Sequence, residues 1–278
     1  APNQAPAKLL AQVGAPLEGA VVDNAGHLFV TGLTTGGVYE IDTPGAAPHR
    51  VATIPANGGG GALALDPQGN VLVGSGADTR VLAGDYLHPG VISRLNLAAG
   101  TLTPLYSGFS AADGLAVAHD GTIYATNDFA AEVGRVTPDG KVQPAWTKFN
   151  SANGAVLSAD DKYLYVSRTF VNPGVSRIPI ADPTHPQSLL TMTGTNFFAA
   201  PDGLTLDSQG RPVVPTDVLG QILRIDAPGH ACSLVANLRS SSVIVYGKGT
   251  TGFAKGHLYR AGFDGNVYEI PSAFDAGA

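Results

Sequence analysis

The 278-residue chain contains one cysteine, Cys232, and few charged residues. A single cysteine excludes an internal disulfide framework and a cysteine-based zinc site. Charged residues make up 14% of the chain, without any run of lysines or arginines, and the formal net charge is −6. Because nucleic acid phosphates require clustered positive charge, a nucleic-acid partner is excluded. No stretch of about 18 consecutive apolar residues is present, so the sequence contains no candidate membrane span.

Apolar residues and turn formers are abundant. Hydrophobic residues account for 44% of the chain, which is typical of a packed globular protein and not of a disordered one. The 36 glycines and 20 prolines follow no collagen-like period and indicate many turns between short strands. The chain begins Ala1-Pro2-Asn3-Gln4, as a mature chain does after signal-peptide removal, so we expect a periplasmic or secreted protein. An expression product whose tag was removed would begin in the same way. The oligomeric state is not indicated, and a monomer is compatible with the sequence.

A short phrase recurs six times along the chain. Its clearest copy, Gly114 to Thr126, consists of a short apolar strand, an Asp/Gly turn and a second strand. The copies begin at residues 19, 61, 114, 154, 203 and 242, and most continue into a third and a fourth strand. This period predicts an all-β fold, a six-bladed β-propeller with four-stranded antiparallel blades around a central channel. Residues 1–278 then form one domain, and closing the ring requires Leu9 to Val13 to supply the outer strand of the last blade.

The innermost strand of each blade lines the channel, so equivalent residues of the six copies converge near the axis. The position before the first residue of each copy is occupied by Glu18, Gly60, Asp113, Asn153, Asp202 and Ser241. Four of these six side chains carry an oxygen suited to a hard cation. Crowded carboxylates repel one another unless a cation neutralises them, and Ca²⁺ accepts six to eight oxygen ligands. Asp-Gly and Asn-Gly are also common turn pairs, but Glu18 is not a turn former, and the shared register favours a metal cluster.

Three of these segments resemble the metal-site motifs of the SMP-30/gluconolactonase family. They are residues 17–23, 152–158 and 201–207, and the resemblance extends over nearly the whole chain. Members of this family are six-bladed propellers that hold a divalent cation, usually calcium, and many hydrolyse lactones. The resemblance implies that Glu18, Asn153 and Asp202 are the ligands of one divalent cation, which we expect to be Ca²⁺.

The third copy departs from the pattern of this family. Its sugar lactonases commonly have Asn-Asp-Gly here, preceded by an arginine that contacts the substrate, whereas this chain has Ser110-Ala111-Ala112-Asp113-Gly114. The loss of the asparagine and the arginine makes a less polar substrate plausible. Calcium acidifies bound water less than zinc does, so hydrolysis requires a carboxylate base. Asp113 and Asp202 are the candidate catalytic residues. Asp202 is assigned mainly as a metal ligand, and Asp113 as the general base or as a residue that positions the substrate.

Other residues near the same end of the channel are candidates for substrate binding. Asn127 and Arg168 follow second strands, and Phe197 and Phe198 precede the Asp202 motif as a possible apolar wall. The alternatives are solvated loops for the polar residues and core packing for the phenylalanines. The predicted substrate-binding residues are Asp113, Asn127, Arg168, Phe197 and Phe198. Histidines near the inter-strand turns lie at the opposite end and form no zinc motif, so we expect surface roles for His27, His119 and His257.

The leading hypothesis is a divalent-metal-dependent, calcium-using hydrolase of a small-molecule lactone or related ester. One alternative is a non-catalytic propeller in which calcium stabilises the channel and a ligand or partner binds. A second is an enzyme of the strictosidine synthase type, which the chain resembles more weakly and which needs no metal. The propeller fold alone does not decide among them, but the complete set of metal-site motifs favours the hydrolase.

Overall fold

The computed structural model describes residues 5–55 and 58–278. Within these ranges, 24 strands form six four-stranded antiparallel sheets. Five sheets take their strands in chain order, and the sixth combines the last three strands with the first. The predicted all-β, six-bladed propeller is therefore confirmed. Among the described residues, no helix has the length and apolar character needed to cross a membrane.

The strands are short, as the density of turn residues predicts. The chain starts with β1 (Lys8–Gln12). Blade 1 contains β2 (Leu17–Val22), β3 (Leu28–Gly32), β4 (Gly37–Ile41) and β5 (His49–Thr53). Blade 2 contains β6 (Gly60–Leu65), β7 (Val71–Ser75), β8 (Gly90–Asn96) and β9 (Thr101–Phe109). Blade 3 contains β10 (Gly114–Val117), β11 (Ile123–Thr126), β12 (Glu132–Val136) and β13 (Val142–Lys148).

The second half of the chain repeats this pattern. Blade 4 contains β14 (Ala152–Leu157), β15 (Tyr163–Arg168), β16 (Gly174–Pro179) and β17 (Gln187–Thr191). Blade 5 contains β18 (Thr205–Leu206), β19 (Pro212–Pro215), β20 (Ile222–Ala227) and β21 (His230–Val235). Blade 6 contains β22 (Ser241–Tyr246), β23 (Leu258–Gly262) and β24 (Asn266–Glu269), with β1 as its outer strand.

The ring closes through β1, as the sequence predicts. This strand pairs antiparallel with β24, from Lys8 opposite Glu269 to Gln12 opposite Asn266. Leu10 and Leu17 belong to one buried cluster, which joins the closing strand to blade 1. The apolar contacts between blades hold the two ends of the chain together.

Helical segments are confined to loops. The insertion between β7 and β8 forms a 3₁₀ helix (Thr79–Ala83) and α1 (Gly84–Leu87). Further 3₁₀ helices are Gly194–Phe198 and Pro271–Ala273. These segments are too short to carry the helical periodicity that a sequence pattern would reveal.

We call the end of the ring where the innermost strands begin the upper face, and the end that carries the turns after them the lower face. Glycines let the innermost strands approach closely at the upper face. A Cβ on Gly19 would lie 2.4 Å from the Gly61 carbonyl oxygen, and one on Gly114 would lie 2.1 Å from the Asn153 carbonyl oxygen. Both distances are too short for any other residue, so glycine here brings the preceding side chains together at the axis.

Blade 5 differs from its siblings at the axis. The repeat predicts an innermost strand that starts at Gly203, but β18 covers only Thr205–Leu206. The Gly203 amide instead donates to the Ser242 carbonyl of blade 6 at 2.8 Å, and the Gly203 carbonyl accepts from the Ile244 amide at 3.1 Å. The backbone beside Asp202 is therefore fixed by the neighbouring blade.

Candidate metal centre and active site

Four side chains predicted for the site surround one cavity at the upper end of the channel. The cavity has a volume of about 170 Å³ and is lined by Glu18, Asp113, Asn153 and Asp202 together with apolar residues of the innermost strands. Glu18, Asn153 and Asp202 are 7%, 3% and 4% exposed. The shared register thus brings these side chains together, while their assignment as ligands or catalytic groups stays a prediction.

The other two positions of the ring contribute no acid. Gly60 has no side chain, and the Ser241 hydroxyl donates to the Leu238 carbonyl at 2.6 Å. The same hydroxyl accepts from Nε of the fully buried Arg260, also at 2.6 Å. The Ser241 hydroxyl therefore positions Arg260 in blade 6 through these two hydrogen bonds.

Burial and mutual repulsion disfavour the charged forms of the acids. Burial, followed by the negative charges of Asp202 and Asp113, raises the pKa of Glu18 well above its ordinary value. Burial and then the charge of Asp113 raise the pKa of Asp202 in the same way, against opposing hydrogen bonds from the Gly203 amide and Asn153. Burial also raises the pKa of Asp113. The cavity therefore favours a positive charge.

Two further carboxylates belong to this group and were not predicted from the sequence. Asp128 follows β11 and is 7% exposed. Burial and the charge of Asp113 raise the pKa of Asp128 well above its ordinary value. Asp217 follows β19, is half-buried, and has its pKa raised by burial to about 6. Both residues follow the second strand of a blade, so comparing the ends of second strands would have identified them.

The donor set fits a hard divalent cation. The Oδ1 atom of Asp128 is buried and has no hydrogen-bond partner among the described residues. Nδ2 of Asn153 donates to the Thr169 hydroxyl at 3.0 Å, and that hydroxyl donates to the Pro201 carbonyl at 2.7 Å. This chain of hydrogen bonds fixes the orientation of the Asn153 amide. Carboxylate and amide oxygens are the ligands that Ca²⁺ takes, and buried polar atoms without partners are costly unless an ion or water satisfies them.

The predicted substrate contacts other than Asp113 do not line this cavity. Asn127 is 1% exposed. Its Nδ2 donates to the Val81 carbonyl and the Ser110 hydroxyl at 2.9 Å each, and its Oδ1 accepts from the Phe129 amide at 3.0 Å. Asn127 therefore anchors the blade 2 insertion, and direct contact between Asn127 and a substrate stays a prediction.

Arg168 is also turned away from the channel. It is 9% exposed, and its Nη2 donates to the Leu190 carbonyl at 2.6 Å and to the Thr191 hydroxyl at 3.2 Å. Both partners lie in the outer strand of blade 4, so Arg168 fastens that blade. Arg168 is not part of the cavity lining, and its contact with a substrate stays a prediction. Phe197 and Phe198 are 46% and 70% exposed, with ring centroids 5.3 Å apart. Their exposure excludes core packing, while substrate contact by them stays a prediction.

A second group of potential metal ligands lies on the lower face. His27, Glu40 and Asp42 each offer a ligand atom within 4.8 Å of the others. Nδ1 of His27 is 3.1 Å from a Glu40 oxygen, and Nε2 of His49 is 3.4 Å from the other Glu40 oxygen. His27 thus lies at the expected end of the propeller. The group itself depends on the pairing of β3 with β4 and has no signature in linear spacing.

Comparison with known proteins identifies the fold. No protein-family model and no curated protein matches the chain. Among solved structures, it is similar to a gluconolactonase from Xanthomonas campestris, with a TM-score of 0.74 and 18% identity over 96% of this chain and 94% of that one. A calcium-binding regucalcin from Agrobacterium tumefaciens gives a TM-score of 0.70 and 17% identity, covering 97% of this chain and 92% of that chain.

A luciferin-regenerating enzyme gives a TM-score of 0.66 and 14% identity, covering 93% of this chain and 92% of that chain. These similarities confirm that the chain has the propeller fold of the gluconolactonase and regucalcin structures, in agreement with the resemblance found in the sequence.

Proposed function

We propose that the protein is a divalent-cation-dependent hydrolase of a lactone or a related ester. The observation that carries the proposal is the convergence of Glu18, Asp113, Asn153 and Asp202 on one small axial cavity. None of the residues lining this cavity is a lysine, arginine or histidine, so no side chain there neutralises the acids. The calcium-binding property of the regucalcin neighbour supports Ca²⁺ as the ion, and the gluconolactonase neighbour supports a lactone as the substrate class.

In this proposal, Glu18, Asn153 and Asp202 hold the cation. A cation held there would supply Lewis acidity, which would polarise an ester carbonyl and stabilise negative charge on its oxygen. Asn153 is held for this role by its hydrogen bond to Thr169. Asp202 is held by the backbone of blade 6 through Gly203.

Asp113 has the role of general base. Asp113 lines the same cavity, and its charge raises the pKa of Asp128, whose buried Oδ1 has no partner among the described residues. Asp113 takes a proton from the attacking water and returns it to the ring oxygen as the acyl–oxygen bond breaks. The product is the hydroxy acid. A base with a raised pKa suits this transfer, because proton exchange is most efficient when the pKa approaches the working pH.

The test is a panel of γ-lactones, δ-lactones and aryl esters, assayed with calcium and with a chelator. We expect hydrolysis of at least one class with calcium and loss of that activity with the chelator. Glu18→Gln should abolish the calcium-dependent rate, whereas the matched variant Glu40→Gln, a buried glutamate of the lower face, should retain it. Hydrolysis at the same rate with and without the chelator, or no hydrolysis of any compound, would contradict the proposal. The second result would favour a non-catalytic propeller that binds a ligand or partner.

A further inference from the structure

Exposed apolar side chains are concentrated on the upper face. Nine large apolar residues that are more than a third exposed lie in loops of this face: Leu82, Tyr86, Leu87, Phe129, Phe170, Val171, Phe197, Phe198 and Val218. Soluble proteins seldom expose such groups together unless the surface binds something. The same face carries the axial acids, so the apolar surface adjoins the candidate site.

A groove runs through the centre of this surface. We call it the Phe129 groove; it has a volume of about 440 Å³ and lies between the blade 2 insertion and the upper loops of blades 3 and 4. Its lining includes Leu82, Tyr86, Asp128, Phe129, Phe170 and Val171. The rings of Phe129 and Phe170 stack with centroids 4.8 Å apart, and each residue is about half exposed. This volume falls within the usual range for small-molecule sites.

The Phe129 groove adjoins the candidate site at blade 4. Phe170, which lines the groove, directly follows Thr169, and the Thr169 hydroxyl accepts a hydrogen bond at 3.0 Å from Nδ2 of Asn153, which lines the axial cavity. The ring of Phe129 stacks on that of Phe170. A ligand whose carbonyl lies beside the axial acids can therefore extend a substituent over the Phe129 ring.

The wall of the groove formed by the insertion is held in place before any ligand binds. Asp85 accepts a hydrogen bond from the Ser110 hydroxyl at 2.7 Å. It also accepts from the backbone amides of Ala131 and Glu132 at 3.0 Å each. Together with the anchor supplied by Asn127, these bonds fix the insertion against blade 3. A preformed wall reduces the entropy lost when a ligand binds.

The chemistry of the lining selects one occupant. The groove lining contains no lysine, arginine or histidine, so an anionic tail has no partner there. Asp85 is already bonded, and the Ser151 hydroxyl accepts from the Phe170 amide at 2.8 Å. The other polar side chains of the lining are Tyr86, Asp128 and Asn150, and the remaining lining residues are apolar or glycine. The exposed rings instead offer an apolar surface.

We propose that the Phe129 groove binds the apolar alkyl or aryl substituent of the substrate, so that the enzyme prefers lactones carrying a long apolar side chain. This inference rests on the proposed function and specifies the substrate class of that site.

The test is a series of γ-lactones with alkyl substituents of increasing length. In the wild type, kcat/KM should rise about threefold to fourfold per methylene until the groove is filled. Phe129→Ala should flatten this gradient, and Phe129→Leu should restore part of it. Phe274→Ala is the control, because Phe274 is 56% exposed and lies beside His257 on the lower face. That variant should keep the full gradient. An equal rate for all lengths, or a gradient unchanged by Phe129→Ala, would overturn the proposal and leave the hydrolase intact.

Binding of hydrolysis-resistant γ-lactams with the same alkyl series, measured by calorimetry, separates this proposal from the catalytic one. Affinity that increases with chain length in the wild type and not in Phe129→Ala would support the groove even if no lactone is hydrolysed. Absence of lactam binding, or affinity independent of length, would overturn the groove whatever the rates are.

Discussion

Asp202 and Asp207 lie on either side of the two-residue strand β18 and are almost equally buried, at 4% and 6% exposed. Asp207, on the lower face, accepts from the amides of Gln209 and Arg211 at 3.0 and 2.9 Å and pairs with Nε of Arg211 at 2.7 Å. Asp202, on the upper face, faces other carboxylates and has no paired cation among the described residues. The Asp207 carboxylate stabilises a turn, whereas a charged Asp202 carboxylate, which has no such partner, lowers the stability of the fold.

The same difference extends over both ends of the propeller. Several carboxylates of the lower face are paired with histidines or arginines, as in Asp161 with His119 at 2.8 Å and Glu269 with His257 at 2.6 Å. Those of the upper cavity are clustered without such partners. Paired acids contribute to the fold, and clustered buried acids are typical of functional sites.

The largest expected effect on activity comes from replacing Asp202 with asparagine, and the same replacement of Asp207 is its matched control. Asp202→Asn should lower kcat on the best lactone by about 10²–10³-fold, because a ligand of the cation proposed to polarise the carbonyl is lost. In chelator the same variant should be more stable than the wild type, since one repelling carboxylate is removed. In calcium it should be less stable. Asp207→Asn should retain activity and lose about 1–3 kcal/mol in both conditions, because it breaks a buried bonded group. Lactonase assays and thermal unfolding with and without calcium measure both effects, and equal behaviour of the two variants would contradict the comparison.

A second substitution separates the proposed base from the proposed ligands. Asp113→Asn should reduce kcat by about 10²-fold, in the range of general-base catalysis, and leave calcium affinity nearly unchanged. Asp120→Asn, on the lower face of the same blade, should alter neither quantity. Calcium titration calorimetry supplies the affinity. Loss of calcium binding in Asp113→Asn would place Asp113 among the ligands.

The pH dependence of stability should reveal the unpaired acids. The pKa values of Glu18 and Asp202 are raised well above their ordinary values, and that of Asp217 is raised to about 6. Above about pH 4, the folded protein therefore binds more protons than the unfolded chain. Stability contributed by these protonated acids is complete below about pH 4 and is lost as the pH rises through the raised values. In chelator, the unfolding temperature should therefore fall as the pH increases from 4 to 7.

Calcium should prevent this fall, because the ion takes the place of the protons. At a free concentration 100 times its dissociation constant, one bound ion adds about 2.7 kcal/mol. An unfolding temperature that rises with pH in chelator, or a pH dependence that calcium leaves unchanged, would contradict the assignment of the acids to an ion site.

The smallest effect is expected on the lower face. His27→Ala removes a half-exposed ion pair with Glu40, so the change in unfolding free energy should stay below about 1 kcal/mol. Calcium should stabilise this variant as much as the wild type. If calcium stabilisation disappears, the ion binds at the group formed by His27, Glu40 and Asp42.

Much of the architecture follows from local sequence. The phrase around Gly114 predicts each inner hairpin because its apolar alternation and turn residues are contiguous, and Leu9 to Val13 predicts the closing strand for the same reason. The register that places Glu18 with Asn153 and Asp202 is also local, since each precedes the glycine or its equivalent in its copy.

Other parts of the site depend on contacts between blades. Asp128 belongs to the cluster because the pairing of β10 with β11 brings it near Asp113, and its signal in the sequence is its place after a second strand. Asn127 is buried because the blade 2 insertion covers it, and the truncation of β18 arises from hydrogen bonds to blade 6. The last two features have no linear pattern, so the sequence predicted substrate contact for Asn127 and an innermost strand that starts at Gly203.

The most direct test of the ion site is a crystal structure from crystals grown with calcium, with anomalous diffraction data collected to locate the ion. We expect one peak in the axial cavity, with oxygens of Glu18, Asn153 and Asp202 at about 2.3–2.6 Å from the ion. A cavity without a peak, or a single peak beside Glu40 on the lower face, would contradict this expectation.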